Sequence, residues 1–334
     1  MIKKIKDGLM TVVSGLIVTM VIAGLSMGIV ALLPVDFVGA TVVALFIGML
    51  VGNLWTLPEQ VKPGVQFAAK RLLKVFIILL GASMNMALIA EVGVQALILL
   101  AFTIGTAFIA GKLLGKLFGT GRELTALLSA GVAICGGSAI SALSPVIEAE
   151  EEETTYAIST VFLFDMVLII LFPLVGQLLG FSDQIMGFWS GTAINDTSSV
   201  VAASFAFSAG AGAIATTVKL TRTLGIIPVV LTYGALQSRE GDSWQQTLGR
   251  VFPWFIVLFV GLALANTVGW IPEELGAPLN DLRKFLMVTA LAGVGLKTDL
   301  NTIRTVGAKP FLHALILSAA VIVVAIVVIL GLIV

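Results

Sequence analysis

The chain has 334 residues, of which 58% are hydrophobic and 11% are charged, and its mean hydropathy is +1.11. Soluble globular proteins carry about 25% charged residues, so this composition excludes a soluble fold and predicts an all-α polytopic membrane protein. The 19 basic and 19 acidic residues cancel, so no basic surface argues for a nucleic-acid partner. A single cysteine and a single histidine exclude an intramolecular disulfide and argue against a metal site, and we expect no cofactor.

Hydropathy in a window of roughly 19 residues predicts eleven membrane-spanning helices. They lie near residues 9–33, 37–55, 75–93, 95–118, 124–147, 157–180, 185–207, 212–236, 251–270, 284–300 and 310–333. Four connections are basic and are expected on one side, at residues 62–74, 112–122, 239–250 and 297–309. The other side would carry Asp36, the acidic run 148–153 and the pair 273–274. By the positive-inside rule the N-terminus is cytoplasmic, which predicts a multi-pass protein of the cytoplasmic (inner) membrane.

The fifth predicted span contains two adjacent glycines, Gly136 and Gly137, followed by Ser138 and Pro145. Glycine and proline weaken a helix, and unwound backbone is tolerated at membrane depth only where it is buried in protein or lines a cavity. Its freed amides would attract an anion. The alternative is that the small residues serve close helix packing.

The sixth and seventh predicted spans place acidic and polar residues deep in apolar sequence. Asp165 lies in the sixth, and the seventh contains a polar island, residues 191–199. From this island we expect Thr192, Asn195 and Thr197 to donate hydrogen bonds to an anion. Asp196 either carries a proton or is the counter-ion of a buried cation, and a structural pairing is favoured for Asp165.

The eighth predicted span contains two cations, Lys219 and Arg222. A span that began after them would leave only residues 223–236, too few to cross a bilayer of about 30 Å. Each central Lys or Arg costs roughly 2.5–3.5 kcal/mol on insertion scales. At i and i+3 the two share one helix face, and we predict that this face binds an oxyanion.

The tenth predicted span is also interrupted by glycines, Gly293 and Gly295. It lies five spans after the fifth, which is the parity that an inverted five-helix repeat requires. We therefore predict repeats at residues 37–180 and 181–334, with residues 1–36 as an extra helix. A second echo, between residues 137–140 and 191–194, pairs two spans that would be parallel, so it cannot be the inverted counterpart.

Three ordered motifs carry a family resemblance: ICGGSAI at 134–140, GTAINDTSSVVAA at 191–203 and TVKLTR at 217–222. The sequence resembles the YeiH-type sulfate exporter family over nearly its whole length. The resemblance implies discontinuous crossing helices, as in cation/proton antiporters and bile-acid symporters, and export of sulfate or small sulfonates. Where many relatives have His-Asp-Thr, this chain has Asn195-Asp196-Thr197, which argues against histidine-based proton coupling.

The leading hypothesis is a secondary transporter that moves a small oxyanion, with export coupled to an ion gradient. Lys219, Arg222, Gly136, Gly137 and Ser138 would contact the anion together with the polar island, while Asp196 and Asp165 would serve coupling. The expected partners are this solute, the bilayer and a coupling proton or sodium ion, and the sequence leaves room for a homodimer. A passive channel is an alternative. An intramembrane serine hydrolase using Ser138 is disfavoured because a G-x-S-x-G motif is lacking, and we do not expect an enzyme.

Overall fold

The structure, a computed structural model, describes residues 2–32, 40–236, 253–298 and 308–333. These residues form helices and connections and contain no strand. The helices are α1 (Ile2–Leu32), α2 (Ala40–Leu54), α3 (Lys62–Phe67), α4 (Leu73–Gly81), α5 (Met86–Phe118), α6 (Arg122–Ala133), α7 (Gly137–Leu143), α8 (Glu151–Leu178), α9 (Asp183–Ala193), α10 (Thr197–Phe207), α11 (Ala209–Thr223), α12 (Ile226–Leu236), α13 (Trp254–Thr267), α14 (Gly276–Lys297) and α15 (Ala308–Val328). Short π-helical or 3-10 segments occupy Ala68–Leu72, Glu273–Leu275 and Ile329–Ile333.

Five of the segments are long and apolar enough to cross a membrane: Val12–Leu32, Met86–Phe118, Glu151–Leu178, Ala209–Leu236 and Ala308–Ile333. Their outward-facing side chains are largely apolar, as expected for a surface that meets lipid. The predicted all-helical membrane protein is therefore confirmed, whereas the predicted count of eleven spans is not. Asp36 and the basic connections at 239–250 and 299–307 lie outside the described residues.

The chain folds into two compact units, one from Met1–Leu88 with Phe255–Leu300 and one from Ile89–Trp254 with Asn301–Val334. In the first unit, α14 packs along α2 through glycines on both helices. A Cβ on Gly295 would lie 2.2 Å from the carbonyl oxygen of Leu45, and a Cβ on Gly48 would lie 2.5 Å from that of Ala292. These glycines therefore allow the two backbones to touch.

The predicted interruption of the tenth span is wrong. Helix α14 runs without a break through Gly293 and Gly295 to Lys297. A Cβ on Gly293 would lie 2.9 Å from the backbone nitrogen of Ala69, so this glycine also serves close packing. Small residues at a helix contact and glycines at a helix break produce the same sequence pattern.

In the second unit, α6 and α7 form a helical hairpin rather than one crossing helix. The start of α6 and the end of α7 both lie at the start of α8. At the end of α7, the hydroxyls of Ser144 and Thr154 are 2.6 Å apart. Before the start of α6, a Cβ on Gly121 would lie 3.3 Å from Oε1 of Glu153. A continuous helix would hold residues 121 and 144 about 34 Å apart. The chain therefore turns back at residues 134–136 and leaves on the side where it entered.

Helices α9 and α10 form a second hairpin at the other end of α8. The Ser208 hydroxyl at the end of α10 donates to Oδ1 of Asp183 at the start of α9, at 2.6 Å, although a continuous helix would separate these residues by about 37 Å. Gly176, near the end of α8, lies between the arms: its Cβ would be 2.9 Å from Met186 Sδ and 3.2 Å from Phe207 Cε2. The hairpin turns at residues 194–196.

The two hairpins consequently enter from opposite ends of α8, and the predicted crossing at spans five and seven is wrong. Hydropathy could not reveal this, because two short apolar helices in a row have the composition of one long helix.

The acidic run lies on the opposite side of the membrane from the one that the sequence predicted. Glu153 lies beside Gly121, so the run 148–153 is at the same end of the hairpin as Arg122. The reason is that the first hairpin returns the chain to the side from which it entered. The compact units divide the chain at positions other than the predicted repeats, which stay a prediction.

Cysteine labelling tests the second hairpin. In a Cys135→Ala background, Gln184→Cys and Ala209→Cys should react with a membrane-impermeant maleimide from the same face of the membrane, because both lie at the open end. Glu151→Cys, at the other end of α8, is the matched control and should react from the opposite face. Reaction of positions 184 and 209 from opposite faces in spheroplasts and inverted vesicles would show a crossing helix instead.

Candidate functional site

The turn of each hairpin is called its tip here: residues 134–136 form the first tip and residues 194–196 the second. The first tip is an unwound segment in which glycine is required. Gly136 has φ 60° and ψ −127°, a conformation that side-chain-bearing residues rarely adopt. Its N–H donates to the carbonyl oxygen of Gly131 at 2.9 Å, which closes the turn. A Cβ on Gly136 would lie 3.5 Å from Asn195 Cβ and 3.5 Å from the nitrogen of Asp196. The tips of the two hairpins therefore meet.

Asp165, near the middle of α8, holds the tip of the second hairpin. Its Oδ1 accepts hydrogen bonds from the backbone N–H of Asn195 at 2.8 Å and from the Asn195 amide at 3.1 Å. Its Oδ2 accepts from the N–H of Asp196 at 2.6 Å. Charge-assisted bonds of this kind are about twice as strong as neutral ones, so Asp165 fixes the turn between α9 and α10.

Asp196 caps the second arm of this hairpin. Its Oδ2 accepts from the backbone N–H of Ser198 at 2.8 Å and also from the Ser198 hydroxyl. This is the usual arrangement of an N-cap aspartate, which satisfies one of the free N–H groups at a helix start. Asp196 is half-buried, whereas its neighbour Asn195 is fully buried.

Lys219 on α11 joins the two tips. Its side chain is 0% exposed, and Nζ donates to the carbonyl oxygen of Ile134 at 2.8 Å and to that of Ile194 at 2.9 Å. Ile134 belongs to the first tip and Ile194 to the second. One ammonium group therefore bonds both hairpins at the point where their backbones unwind.

Arg222, one turn further along α11, bonds the last carbonyl groups of the same two helices. Nε donates to Ala133 O at 2.7 Å, Nη2 donates to Val132 O, and Nη1 donates to Thr192 O and, at 3.4 Å, to Ile194 O. The residue is 2% exposed. Since the last carbonyls of a helix have no partner within the helix, the guanidinium caps α6 and α9 together.

The direct hydrogen bonds of the two cations go to helix ends and not to carboxylates. A helix C-terminus carries about half a negative charge, and two such ends point at Lys219 and Arg222. In the described part of the chain, no carboxylate oxygen lies within 4.0 Å of either cation, and the ion pair found there is Lys62–Glu59 at the surface. The pairing of a buried cation with Asp196 or Asp165, which the sequence left open, is not formed.

Two predicted hydrogen-bonding residues keep unpaired polar atoms at the second tip. Thr192 Oγ1 and Asn195 Oδ1 are buried and have no hydrogen-bond partner among the described residues. A buried polar atom without a partner costs about 1–3 kcal/mol. The tip therefore retains hydrogen-bonding capacity that a solute or water can use.

The remaining predicted residues lie at the starts of the returning arms. Gly137 and Ser138 begin α7, with Gly137 buried and the Ser138 side chain exposed, while Thr197 begins α10 and is half-buried. Thus all ten predicted site residues lie at or next to the two hairpin turns, on α11 or in the middle of α8. No group of three or more His, Cys, Asp or Glu side chains that could hold a metal ion occurs in the described residues.

Sequence reasoning missed the backbone half of this site. The carbonyl oxygens of Val132, Ala133 and Ile134 bind the cations, and no side-chain pattern marks them. The cap of α10 by Asp196 was also missed, although an aspartate immediately before an apolar helical stretch is a recognisable N-cap signal.

A family profile described as "Conserved hypothetical protein 698" matches residues 14–314. A "UPF0324 membrane protein" of Clostridium tetani is 41% identical over 325 residues, which cover 93% of this chain and 94% of the relative. The chain belongs to the UPF0324 family. UPF0324 relatives in Streptococcus pneumoniae serotype 4 and Fusobacterium nucleatum subsp. nucleatum are 39% and 35% identical, covering 86% and 82% of this chain and 87% and 85% of each relative. UPF0324 is the YeiH-type family that the motifs indicated.

Replacing Arg222 tests its role as a shared helix cap. Arg222→Met should lower the thermal unfolding temperature of the purified protein strongly, because several buried carbonyls lose their donors at about 1–3 kcal/mol each. The unfolding temperature of Arg222→Lys should lie between those of the wild type and Arg222→Met, since an ammonium keeps the charge but lacks the planar fork. Arg122→Met, at an exposed position of the same unit, is the control and should change little. Equal unfolding temperatures for the Arg222 and Arg122 variants would contradict the cap.

Proposed function

We propose that this UPF0324 protein is a secondary transporter for a small oxyanion in the cytoplasmic membrane, with the N-terminus in the cytoplasm. The observation that carries the proposal is the meeting of two hairpin tips, reached from opposite ends of α8, at two buried cations on α11. Unwound backbone at membrane depth is characteristic of transporter binding sites built from discontinuous helices. A hairpin open to each side supplies the elements that alternating access requires.

The two buried cations at the tips are the reason for proposing an anion as the solute. Lys219 and Arg222 bring two positive charges, the carbonyl ends of α6 and α9 offset about half a charge each, and the carboxylates of Asp165 and Asp196 also lie at the second tip. A proton on Asp196 would make the tips more positive and so favour an anion. An ammonium group has three N–H donors, of which two reach the carbonyls of Ile134 and Ile194. The third can bind a solute oxygen, so Lys219 is the better candidate for direct contact and Arg222 for positioning. Ser138, Thr192 and Thr197 would complete the donors with their hydroxyls, and Asn195 with the one amide N–H that its bond to Asp165 leaves over.

The proposed substrate class is sulfate or a sulfonate, and the proposed direction is export. This part rests on the family resemblance, together with the fit of hydroxyl and amide donors to tetrahedral oxygens. A sulfate or sulfonate would lie beside the start of α7, where N–H groups carry partial positive charge, because the start of α10 is already capped by the Asp196 carboxylate. A proton or sodium ion is proposed as the coupling ion.

Asp196 is the proposed coupling residue. Its carboxylate is half-buried at the second tip, and its described hydrogen bonds come from Ser198 alone. Protonation would therefore break no ion pair. Asp165 acts differently: its two oxygens hold the backbone of residues 195 and 196, so it positions the tip and links the coupling residue to α8.

Transport of radiolabelled sulfate or a sulfonate into proteoliposomes tests the anion role. Lys219→Gln should lower counterflow about 10- to 100-fold, the loss expected for one charged hydrogen bond, and Ser138→Ala should raise KM with little effect on stability. Lys116→Gln, an exposed position on α5, is the control for a simple charge change. Counterflow at the wild-type rate in Lys219→Gln would refute the proposal. A flux without counterflow would indicate a channel.

The pH dependence tests the coupling role. With Asp196→Asn, sulfate transport should no longer respond to an imposed pH gradient, because the side chain cannot bind or release a proton, whereas Glu151→Gln should leave the response intact. The measurement is initial flux with and without the gradient. A response retained in Asp196→Asn excludes this carboxylate as the proton carrier.

A further inference from the structure

A cavity in the first unit carries a second, separate set of anion-binding groups. It has a volume of about 520 Å³ and lies between the end of α4, the end of α13 and the start of α14. Its walls are apolar at Leu79, Ile271 and Leu279, and polar at Asn280 and Arg283. Ligand pockets in proteins measure about 300–1,000 Å³ and combine apolar walls with a few polar groups, and this cavity, which is open to the outside, falls within that range of volume.

Among the described residues that line the cavity, Arg283 is the one cation, and neutral groups hold it in place. Nη2 donates to Oδ1 of Asn280 at 2.7 Å, and Nη1 donates to the hydroxyl oxygen of Ser83. Ser83 in turn donates to the carbonyl oxygen of Leu80 at 2.9 Å. No described carboxylate lies within 4.0 Å of Arg283. The guanidinium is therefore positioned while its charge stays unneutralised.

Beside Arg283 the polar wall offers donors, whereas Asn266, whose amide donates to Met84 O at 3.1 Å, adds an acceptor oxygen elsewhere in the lining. A guanidinium has five N–H donors, and two of its nitrogens are engaged here with Ser83 and Asn280. Because Oδ1 of Asn280 accepts from Arg283, its NH₂ group remains as a donor at the same wall. The hydroxyl hydrogen of Ser83 is already used. A ligand group beside Arg283 and Asn280 therefore meets donors, and the positive charge favours an anionic acceptor.

We propose that this cavity binds an amphiphilic organic anion. Its acidic oxygens would accept from Arg283 and Asn280, and its apolar body would lie against Leu79, Ile271 and Leu279. Two sources have this chemistry: a soluble alkyl sulfonate or carboxylate, and an anionic phospholipid of the bilayer. The site is separate from the hairpin tips, and binding can be measured without any flux, so its failure would be distinct from a failure of the transport proposal.

Titration of the purified full-length protein in a neutral detergent tests the soluble source. 1-Hexanesulfonate should bind, as measured by calorimetry, whereas 1-hexanol, with the same apolar body, and inorganic sulfate, with the head alone, should bind more weakly. Arg283→Gln should weaken hexanesulfonate binding about tenfold or more, since a charged hydrogen bond is lost. Arg71→Gln, an exposed arginine of the same unit, should not.

Lipid retention tests the second source. Protein reconstituted in nanodiscs with mixed phosphatidylglycerol and phosphatidylcholine should retain phosphatidylglycerol after extraction into detergent, as counted by native mass spectrometry, and Arg283→Gln should lose it. Ala277→Trp fills the cavity but keeps the hydrogen bonds of Arg283, and it should abolish whichever ligand binds. If the wild type binds hexanesulfonate or phosphatidylglycerol and both variants lose that binding, the proposal is supported and the ligand lost identifies the source of the anion. Binding that is unchanged in both variants, or absent from the wild type for both ligands, overturns it.

Discussion

The second unit depends on the capping of two helix ends by two side chains of α11. In hydrocarbon every backbone carbonyl must find a donor, and each unsatisfied one costs several kcal/mol. Turning a chain back at membrane depth leaves such carbonyls at both hairpin tips. Lys219 and Arg222 bond those of Val132, Ala133, Ile134, Thr192 and Ile194. The hairpins can unwind where they do because these donors are present.

The dependence is mutual, because the cations also need the helix ends. A lysine or arginine at the centre of a membrane helix costs roughly 2.5–3.5 kcal/mol, and here no described carboxylate pairs with either. The partial negative charge of two helix C-termini makes the direct contacts to the cations, and the carboxylates of Asp165 and Asp196 lie further away at the second tip. The compensation of the buried cations is therefore shared between helix ends and carboxylates.

How much of this could be predicted varies from element to element. The membrane class, the unwinding at Gly136, the polar turn at Asn195 and the burial of Lys219 and Arg222 all follow from local sequence, because each is set by the side chains involved. The direction of the chain after each turn does not. Crossing and re-entrant arrangements share one hydropathy pattern, and the difference is decided by contacts such as that between Asp183 and Ser208, which lie far apart in sequence. Gly295 was misread for the same reason: its partner is the backbone of Leu45, which local sequence does not mark.

Asp165 adds a mechanical consequence. Its carboxylate accepts hydrogen bonds from the backbone of the second tip, while the ammonium of Lys219 donates hydrogen bonds to both tips. Helices α8 and α11 are thus fastened to the same few backbone groups. Moving one hairpin away from α8 and α11 would leave backbone N–H groups, carbonyl groups and charged side chains without hydrogen-bond partners inside the membrane. The least costly large motion is therefore one in which α8, α11 and the paired tips move together as a single block.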